Sequence, residues 1–141
     1  MNDVIIQSAA DRQAKTVPEA YFSGHVLQDV LAIPEDASRL LAVTVTFAPG
    51  ARNVWHSHEN RQVLLVTTGI GVLQAKGHPP RLLRPGDVAS VPPGLVHWHG
   101  ATTESLFAHI SLLEGGLDTT TWMEAVGEEE YRSAADLHRA G

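Results

Sequence analysis

Two blocks bounded by glycine and proline constrain the fold of this chain more than any other feature of its sequence. In order, they read Gly50-x(5)-His56-x-His58-x(3)-Gln62-x(6)-Gly69 and Gly86-x(5)-Pro92-x-Gly94-x(2)-His97. Side chains alternate between the two faces of a strand, so His56 and His58 would project to the same side. The blocks therefore predict short strands that bring several imidazoles together.

Short strands separated by turns are predicted along most of the chain. The stretch 40–47 alternates, with Val43, Val45 and Phe47 on one face and threonines on the other. Further strands are predicted over residues 21–30, 54–58, 62–67, 71–76, 81–83, 88–91, 96–100 and 105–113, with a turn at 33–36. Many short strands punctuated by Gly and Pro are typical of an all-β sandwich or barrel.

The 141 residues fit one domain with a real core. We expect an N-terminal arm, a barrel and a C-terminal helical tail over residues 1–20, 21–118 and 119–141. In the arm, the Val-Ile-Ile run at 4–6 could add an edge strand to another subunit. In the tail, residues 122–139 have helical character, and the three glutamates at 128–130 lie near the expected helix start, where negative charge is favoured.

Composition limits the classes of partner. The net charge is −6, which disfavours nucleic acid and anionic membrane surfaces. The chain has no cysteine, so it can form neither a disulfide framework nor a thiol nucleophile. The first 20 residues lack a basic start followed by a long apolar run, so we expect no signal peptide, no membrane span and a cytoplasmic location. A small-molecule substrate is the expected partner.

The histidines of the two blocks predict a metal site. An isolated His-x-His pair is commonly a surface feature, but here a third imidazole and an amide accompany it at matching offsets. We expect His56, His58, Gln62 and His97 to bind one divalent metal. Three neutral imidazoles and an amide oxygen leave the charge of the ion uncompensated, whereas a Glu in place of Gln62 would cancel one unit. The site should therefore be a strong Lewis acid that favours an anionic ligand such as an alkoxide or cyanide.

Two further histidines are expected inside the barrel. His99 lies two residues after His97, and His109 shares a strand face with Phe107 and Ser111. A lone histidine on a strand is more often structural than catalytic, but these two accompany a predicted metal site. Such a cavity can hold a metal and a separate base that titrates near neutral pH. The remaining histidines, at 25, 78 and 138, are expected at the surface.

The two blocks resemble the paired motifs of the cupin superfamily. The usual Glu of the first motif is Gln62 here. The usual Asn near the end of the second motif is absent, and Gly100-Ala101 stands at that place. The resemblance implies a single-domain antiparallel barrel of jelly-roll type with one divalent metal in its mouth. It covers residues 40–113, and it indicates fold and metal better than reaction.

Over residues 20–132 the chain is also similar to the bacterial cupin hydroxynitrile lyases, the manganese-dependent (R)-selective group. The stretches that carry this resemblance are FAPGARNVWHSH (47–58), PGDV (85–88), HWHGA (97–101), AHI (108–110) and WME (122–124). The resemblance implies that His109 is the general base, that His99 is a second pocket histidine, and that Val43 and Val45 form pocket wall. Manganese is then the expected metal, with iron, nickel, cobalt and zinc as alternatives.

The chain departs from that group in and near the expected pocket. Asn53 stands where a small hydroxyl residue is usual, and Leu113 stands where a polar residue follows the base by four positions. These changes bear on substrate preference. We expect Phe47 and Phe107, together with the two pocket valines, to hold an aromatic or aliphatic group.

The function that the resemblance implies is a metal-dependent lyase that cleaves or forms cyanohydrins such as mandelonitrile. One alternative is a metal-dependent dioxygenase acting on an enediol, a diketone or an alkene, which would consume oxygen. A second is a non-catalytic metal-dependent small-molecule binding protein. We also expect a homodimer or homotetramer, because one face of the 105–113 strand is apolar. That face consists of Leu106, Ala108, Ile110 and Leu112.

Overall fold

A computed structural model gives the structure of residues 3–32, 39–115 and 119–137. The strands in these ranges are β1 (Lys15–Thr16), β2 (Phe22–Ser23), β3 (Val26–Ala32), β4 (Leu40–Phe47), β5 (Arg52–Asn53), β6 (His56–His58), β7 (Gln62–Gly69), β8 (Gly71–Ala75), β9 (Arg81–Leu83), β10 (Val88–Val91), β11 (His97–Ala101), β12 (Phe107–Glu114) and β13 (Thr120–Trp122). One α-helix follows, α1 (Glu128–Ala135), and two 3-10 turns precede β2, at Ala9–Asp11 and Glu19–Tyr21.

The strands form two antiparallel sheets. The first has the order β1-β3-β4-β12-β7-β10. The second has the order β13-β6-β11-β5-β2, and β8 and β9 are attached to it through β11. Residues from both sheets share one hydrophobic cluster, so the sheets pack face to face as in a jelly roll.

The core follows the alternation that the sequence predicts for β4. Val43, Val45 and Phe47 are buried between the sheets, whereas Thr44 and Thr46 on the other face are only half-buried. A second apolar cluster lies where α1 packs against the outer side of the second sheet. It consists of Trp55, Val72, Trp98, Val126, Tyr131, Ala134 and Ala135. This helix therefore supports the sheet that carries the histidines.

The strand predicted at 21–30 is two strands in two different sheets. Phe22–Ser23 pairs with β5 in the second sheet, and Val26–Ala32 pairs with β4 in the first. Gly24 lies between them with φ +85°, and a Cβ there would come within 2.8 Å of Ala51. The chain changes sheets at this glycine because larger residues rarely adopt that conformation and would not fit.

The predicted helix over 122–139 is too long. Thr120–Trp122 is a strand that pairs with β6, and the helix begins only at Glu128. The strand forms because residues 120–122 pair with His56–His58, and a helical pattern read locally does not include that distant partner. The turn predicted at 33–36, the barrel boundary at 118 and His138 lie outside the described residues, and the division into arm, barrel and tail stays a prediction.

The arm pairs with the first sheet through its second half. Lys15–Thr16 adds to the edge of β3, and Arg12 forms a salt bridge with Asp29 of that strand at 3.1 Å. Within the described ranges the run at 4–6 forms no strand and is 78–90% exposed, and its pairing with another subunit stays a prediction. Within the described ranges, no helix has the length and apolar character needed to cross a bilayer.

Candidate metal centre

The four predicted metal ligands lie together between the sheets. His56 and His97 are directly opposite each other on β6 and β11, and His58 lies two residues along β6 on the same face. Gln62 begins β7 in the facing sheet. All four side chains are buried. The strand alternation and the packing of the two sheets therefore bring residues that are up to 41 positions apart to one place.

The imidazoles of His56, His58 and His97 each have a hydrogen-bond partner at Nδ1. In His56 this nitrogen donates to the carbonyl oxygen of Val54 at 2.8 Å, and in His97 to that of Leu95 at 2.9 Å. In His58 it lies 2.9 Å from Oγ1 of Thr120. A carbonyl oxygen can only accept, so Nδ1 of His56 and His97 carries the proton and Nε2 keeps its lone pair. This is the arrangement that orients histidine as a metal ligand.

The inward atoms of this cluster fit a cation. The amide nitrogen of Gln62 donates to Oγ of Ser111 at 2.8 Å, which turns Oε1 toward the imidazoles. Oε1 then lies 3.3 Å from Nε2 of His97. Both atoms are acceptors, so they repel each other unless a positive charge lies nearby. Nε2 of His58 is also buried and has no hydrogen-bond partner.

The imidazoles are neutral at pH 7. Burial, and after it the charge of His97, lowers the pKa of His58 to about 4. The same two causes hold the pKa of His56 well below its usual value, and burial lowers the pKa of His97. Their lone pairs are therefore available without the loss of a proton, which favours metal binding at neutral pH.

His99 also faces this cluster. The nearest nitrogens of His56, His97 and His99 all lie within 4.8 Å of one another, so distance alone makes His99 a possible ligand. Asn53 lies against it. Oδ1 of Asn53 accepts from the backbone N–H of His99 at 2.9 Å, and Nδ2 lies 3.2 Å from the ring nitrogen Nε2.

His109 differs from the other histidines, because neither of its ring nitrogens has a hydrogen-bond partner. Its side chain is 1% exposed, and its ring centroid lies 4.9 Å from that of His99. Burial lowers the pKa of His109 to about 3, well below the near-neutral value that the sequence led us to expect. The imidazole is therefore neutral and keeps an accepting lone pair in an apolar pocket. An anion bound beside it would raise its pKa.

The predicted pocket residues surround His109. Val45 is its register partner on β4, and Val43 pairs with Ser111 in the same way. The ring centroids of Phe47 and Phe107 lie 5.8 and 5.4 Å from that of His109. These residues form an apolar wall beside one unpartnered imidazole.

Leu113 lies further along β12, where it is buried and pairs with Gln62. It therefore borders the predicted ligands rather than the His109 ring.

Two residues of the site carry no role in the sequence prediction. Thr120 contacts His58, and the ring centroid of Trp122 lies 5.1 Å from that of His56. Both are on β13, which the sequence pattern predicted as the start of a helical tail. For Trp122 the Trp-Met-Glu stretch of the resemblance was the one available signal. No pattern in the sequence marks Thr120.

Comparison with known proteins agrees with this geometry. A model of the cupin domain matches residues 43–111. The (R)-mandelonitrile lyase of Granulicella tundricola is 40% identical over 117 residues, which cover 82% of this chain and 88% of that protein.

Solved structures confirm the predicted all-β jelly roll with a short C-terminal helix. A cupin-like protein from Thermotoga maritima is 36% identical, with a TM-score of 0.80 and coverage of 94% of this chain and 97% of its own. The polyketide cyclase RemF from Streptomyces resistomycificus is 16% identical, with a TM-score of 0.74 and coverage of 92% and 91%, and so shares the fold alone.

Proposed function

The chain belongs to the cupin family, and we propose that it is a metal-dependent lyase that cleaves and forms cyanohydrins such as mandelonitrile. The observation that carries this proposal is the His109 imidazole, which is neutral, buried and unpartnered beside a set of donors that fits a divalent cation. The 40% identity to a protein named (R)-mandelonitrile lyase supports the choice of reaction.

The residues that would hold the cation are Nε2 of His56, His58 and His97 together with Oε1 of Gln62. We propose manganese as the metal, with iron, cobalt, nickel and zinc as alternatives that the same donors accept. When bound there, a divalent ion would act as a Lewis acid that makes a substrate hydroxyl easier to deprotonate. Because all four donors are neutral, the site would favour an anionic form of the substrate or product.

The proton transfers fall to His109. Its accepting nitrogen would take the proton of the cyanohydrin hydroxyl, and the electrons of that O–H bond would form the C=O bond of the aldehyde. The bond between the carbinol carbon and the nitrile carbon then breaks, and its electron pair leaves with cyanide. The imidazolium of His109 would return the proton to cyanide, or pass it to His99, so hydrogen cyanide and aldehyde are the products. The reverse reaction uses the same groups.

The apolar wall would hold the organic substituent of the substrate. Val43, Val45, Phe47 and Phe107 are buried in one hydrophobic cluster, and the two phenylalanine rings lie beside that of His109. An aromatic ring or a short alkyl chain placed there would keep water away from the reacting atoms, which strengthens electrostatic interactions within the site.

The test is an assay of mandelonitrile cleavage joined to elemental analysis of the purified protein. We expect benzaldehyde to form at the same rate with and without oxygen, in proportion to the bound divalent metal. Oxygen uptake with an enediol or a diketone, without cyanohydrin cleavage, would instead assign the dioxygenase reaction. Tight ligand binding without any turnover would assign a binding protein.

We further propose that two copies of the chain associate through the outer face of the first sheet. Ile110 pairs in register with Leu65, which pairs with Val88, so the three side chains form one apolar row across β12, β7 and β10. Leu65 and Val88 are 37% and 61% exposed. A second copy offers the same row, and such a self-complementary contact closes as a dimer.

Light scattering at micromolar concentration should therefore give at least twice the monomer mass. The double variant Leu65→Lys/Val88→Lys should be monomeric, because it places charges in the row. Ser133→Lys, on the exposed side of α1, should keep the wild-type mass. A monomeric wild-type protein would refute this assembly.

A further inference from the structure

A cleft of about 710 Å³ lies between β9 and β10. Within the described part of the chain, β9 pairs only with β8 and β10 pairs only with β7. The two sheets are therefore not joined by hydrogen bonds on this side of the protein. The cleft gives access to the space between them.

The cleft is next to the proposed metal centre. Leu73, which lines it, pairs in register with His99 on β11. Val91, which lines it from the other sheet, pairs with Gln62 on β7. Side chains that lie directly opposite each other in an antiparallel pair project to the same face. On both inner faces, the cleft is thus one strand away from residues of the site.

The inner surface of the cleft is apolar and continuous with the wall proposed for the organic substituent. Leu83 belongs to the hydrophobic cluster that contains Phe47 and Phe107, and Leu73 and Ala89 pack against that cluster. All three of these aliphatic residues line the cleft. An aryl or alkyl group that begins at the phenylalanine rings can therefore extend into the cleft along apolar side chains.

Arg81 brings a positive charge to this apolar cleft. It pairs in register with Leu73, so it projects to the inner side of the second sheet, in one row with Leu73 and His99. Neighbouring strands are about 4.8 Å apart, which puts the Cα atoms of Arg81 and His99 on the order of 10 Å from each other. Within the described ranges, Arg81 has no hydrogen bond, ion pair or ring contact.

The carboxylate of Asp87 also lines the cleft, but it forms no ion pair with Arg81. Its Oδ2 accepts the backbone N–H of Arg84 at 2.8 Å, which holds it in the turn between β9 and β10. The guanidinium of Arg81 is therefore free to bind a ligand. Its planar fork of N–H donors matches the two oxygens of a carboxylate.

We propose that the cleft binds the far end of the substrate, and that Arg81 selects cyanohydrins whose aryl or alkyl group ends in a carboxylate. This substrate class rests on the lyase reaction proposed above. The alternative is that Arg81 only protects the free edge of β9 from pairing with another chain, as charged residues on edge strands commonly do. In that case, Arg81 would contact no ligand.

Calorimetry on the metal-loaded protein can separate these two roles with a pair of stable probes, 4-(hydroxymethyl)benzoate and benzyl alcohol, which differ only in the carboxylate. We expect the wild type to bind the benzoate roughly 10-fold more tightly, the scale of a charge-assisted hydrogen bond at a partly exposed site. Arg81→Gln should abolish this preference. Arg84→Gln removes an exposed arginine outside the cleft and should keep it.

The same three proteins are then assayed with 4-carboxymandelonitrile and mandelonitrile. The ratio of the two kcat/KM values should fall roughly 10-fold in Arg81→Gln and keep its wild-type value in Arg84→Gln.

Two results would overturn the inference. One is a wild type that does not prefer the carboxylate probe. The other is an Arg81→Gln variant that keeps the preference, which would mean that the carboxylate binds elsewhere, for example at the metal. A preference that depends on Arg81, without cleavage of either cyanohydrin, would support the carboxylate site in the cleft and refute the lyase reaction.

Discussion

Alanine in place of His56, His58 or His97 should each remove most of the bound metal and nearly all activity. Each substitution deletes one of four neutral donors that converge between the sheets. Each also leaves a partner behind: the carbonyl oxygens of Val54 and Leu95 would lose their donors, and Oγ1 of Thr120 would lose its contact with His58. Elemental analysis and the mandelonitrile assay measure the two losses in the same samples.

Two controls accompany these variants. His25→Ala changes an exposed histidine and should keep both metal and activity. Gln62→Glu should keep the metal, and bind it more tightly, because a carboxylate adds attraction. It should also weaken the binding of anionic ligands, since one unit of the ion's charge is then cancelled. Full metal occupancy in all three alanine variants would show that the ligand assignment is wrong.

Local sequence patterns were sufficient to predict the bounds of strands that have a clear alternation of apolar and polar residues or are enclosed by turns. β4, β9 and β10 have the predicted bounds because their alternation is clear or turns enclose them. The predictions are wrong at Gly24, where the chain passes from one sheet to the other, and at Thr120–Trp122. There a segment of helical composition pairs with a strand that is distant in sequence. Both failures arise from pairing between residues far apart in sequence, which a local window does not contain.

The candidate site could also be predicted only in part from the sequence. The spacing of His56, His58 and His97 on strands is enough to predict that they converge, because strand alternation fixes their face. The roles of His58 and His99 cannot be separated in this way, since both lie two residues from another inward histidine. The two differ in their hydrogen-bond partners, Thr120 for His58 and Asn53 for His99, which belong to other strands. Tertiary contacts of this kind decide the chemistry of a histidine but leave no local signal.

His109→Ala should leave the metal content unchanged and lower cyanohydrin cleavage by roughly 10²–10⁴-fold, the usual contribution of a positioned acid–base group. The residue lies on β12, in the sheet opposite the three imidazole ligands, and its ring packs against Phe47 and Phe107. Metal content by elemental analysis and the rate of benzaldehyde formation give the two readings. His109→Asn and His109→Gln should be nearly as inactive, because an amide does not accept the hydroxyl proton.

Stability separates a catalytic His109 from a structural one. Its two nitrogens are buried without partners, and each unmet hydrogen bond costs about 1–3 kcal/mol. His109→Leu removes that cost and keeps most of the volume, so the variant should melt at or above the wild-type temperature while its turnover is lost. A gain in stability together with a loss of activity is typical of catalytic residues, which often lower the stability of the folded protein. If His109→Leu retains metal, melts normally and turns over at a near-normal rate, His109 has no part in the proton transfer and the role passes to His99.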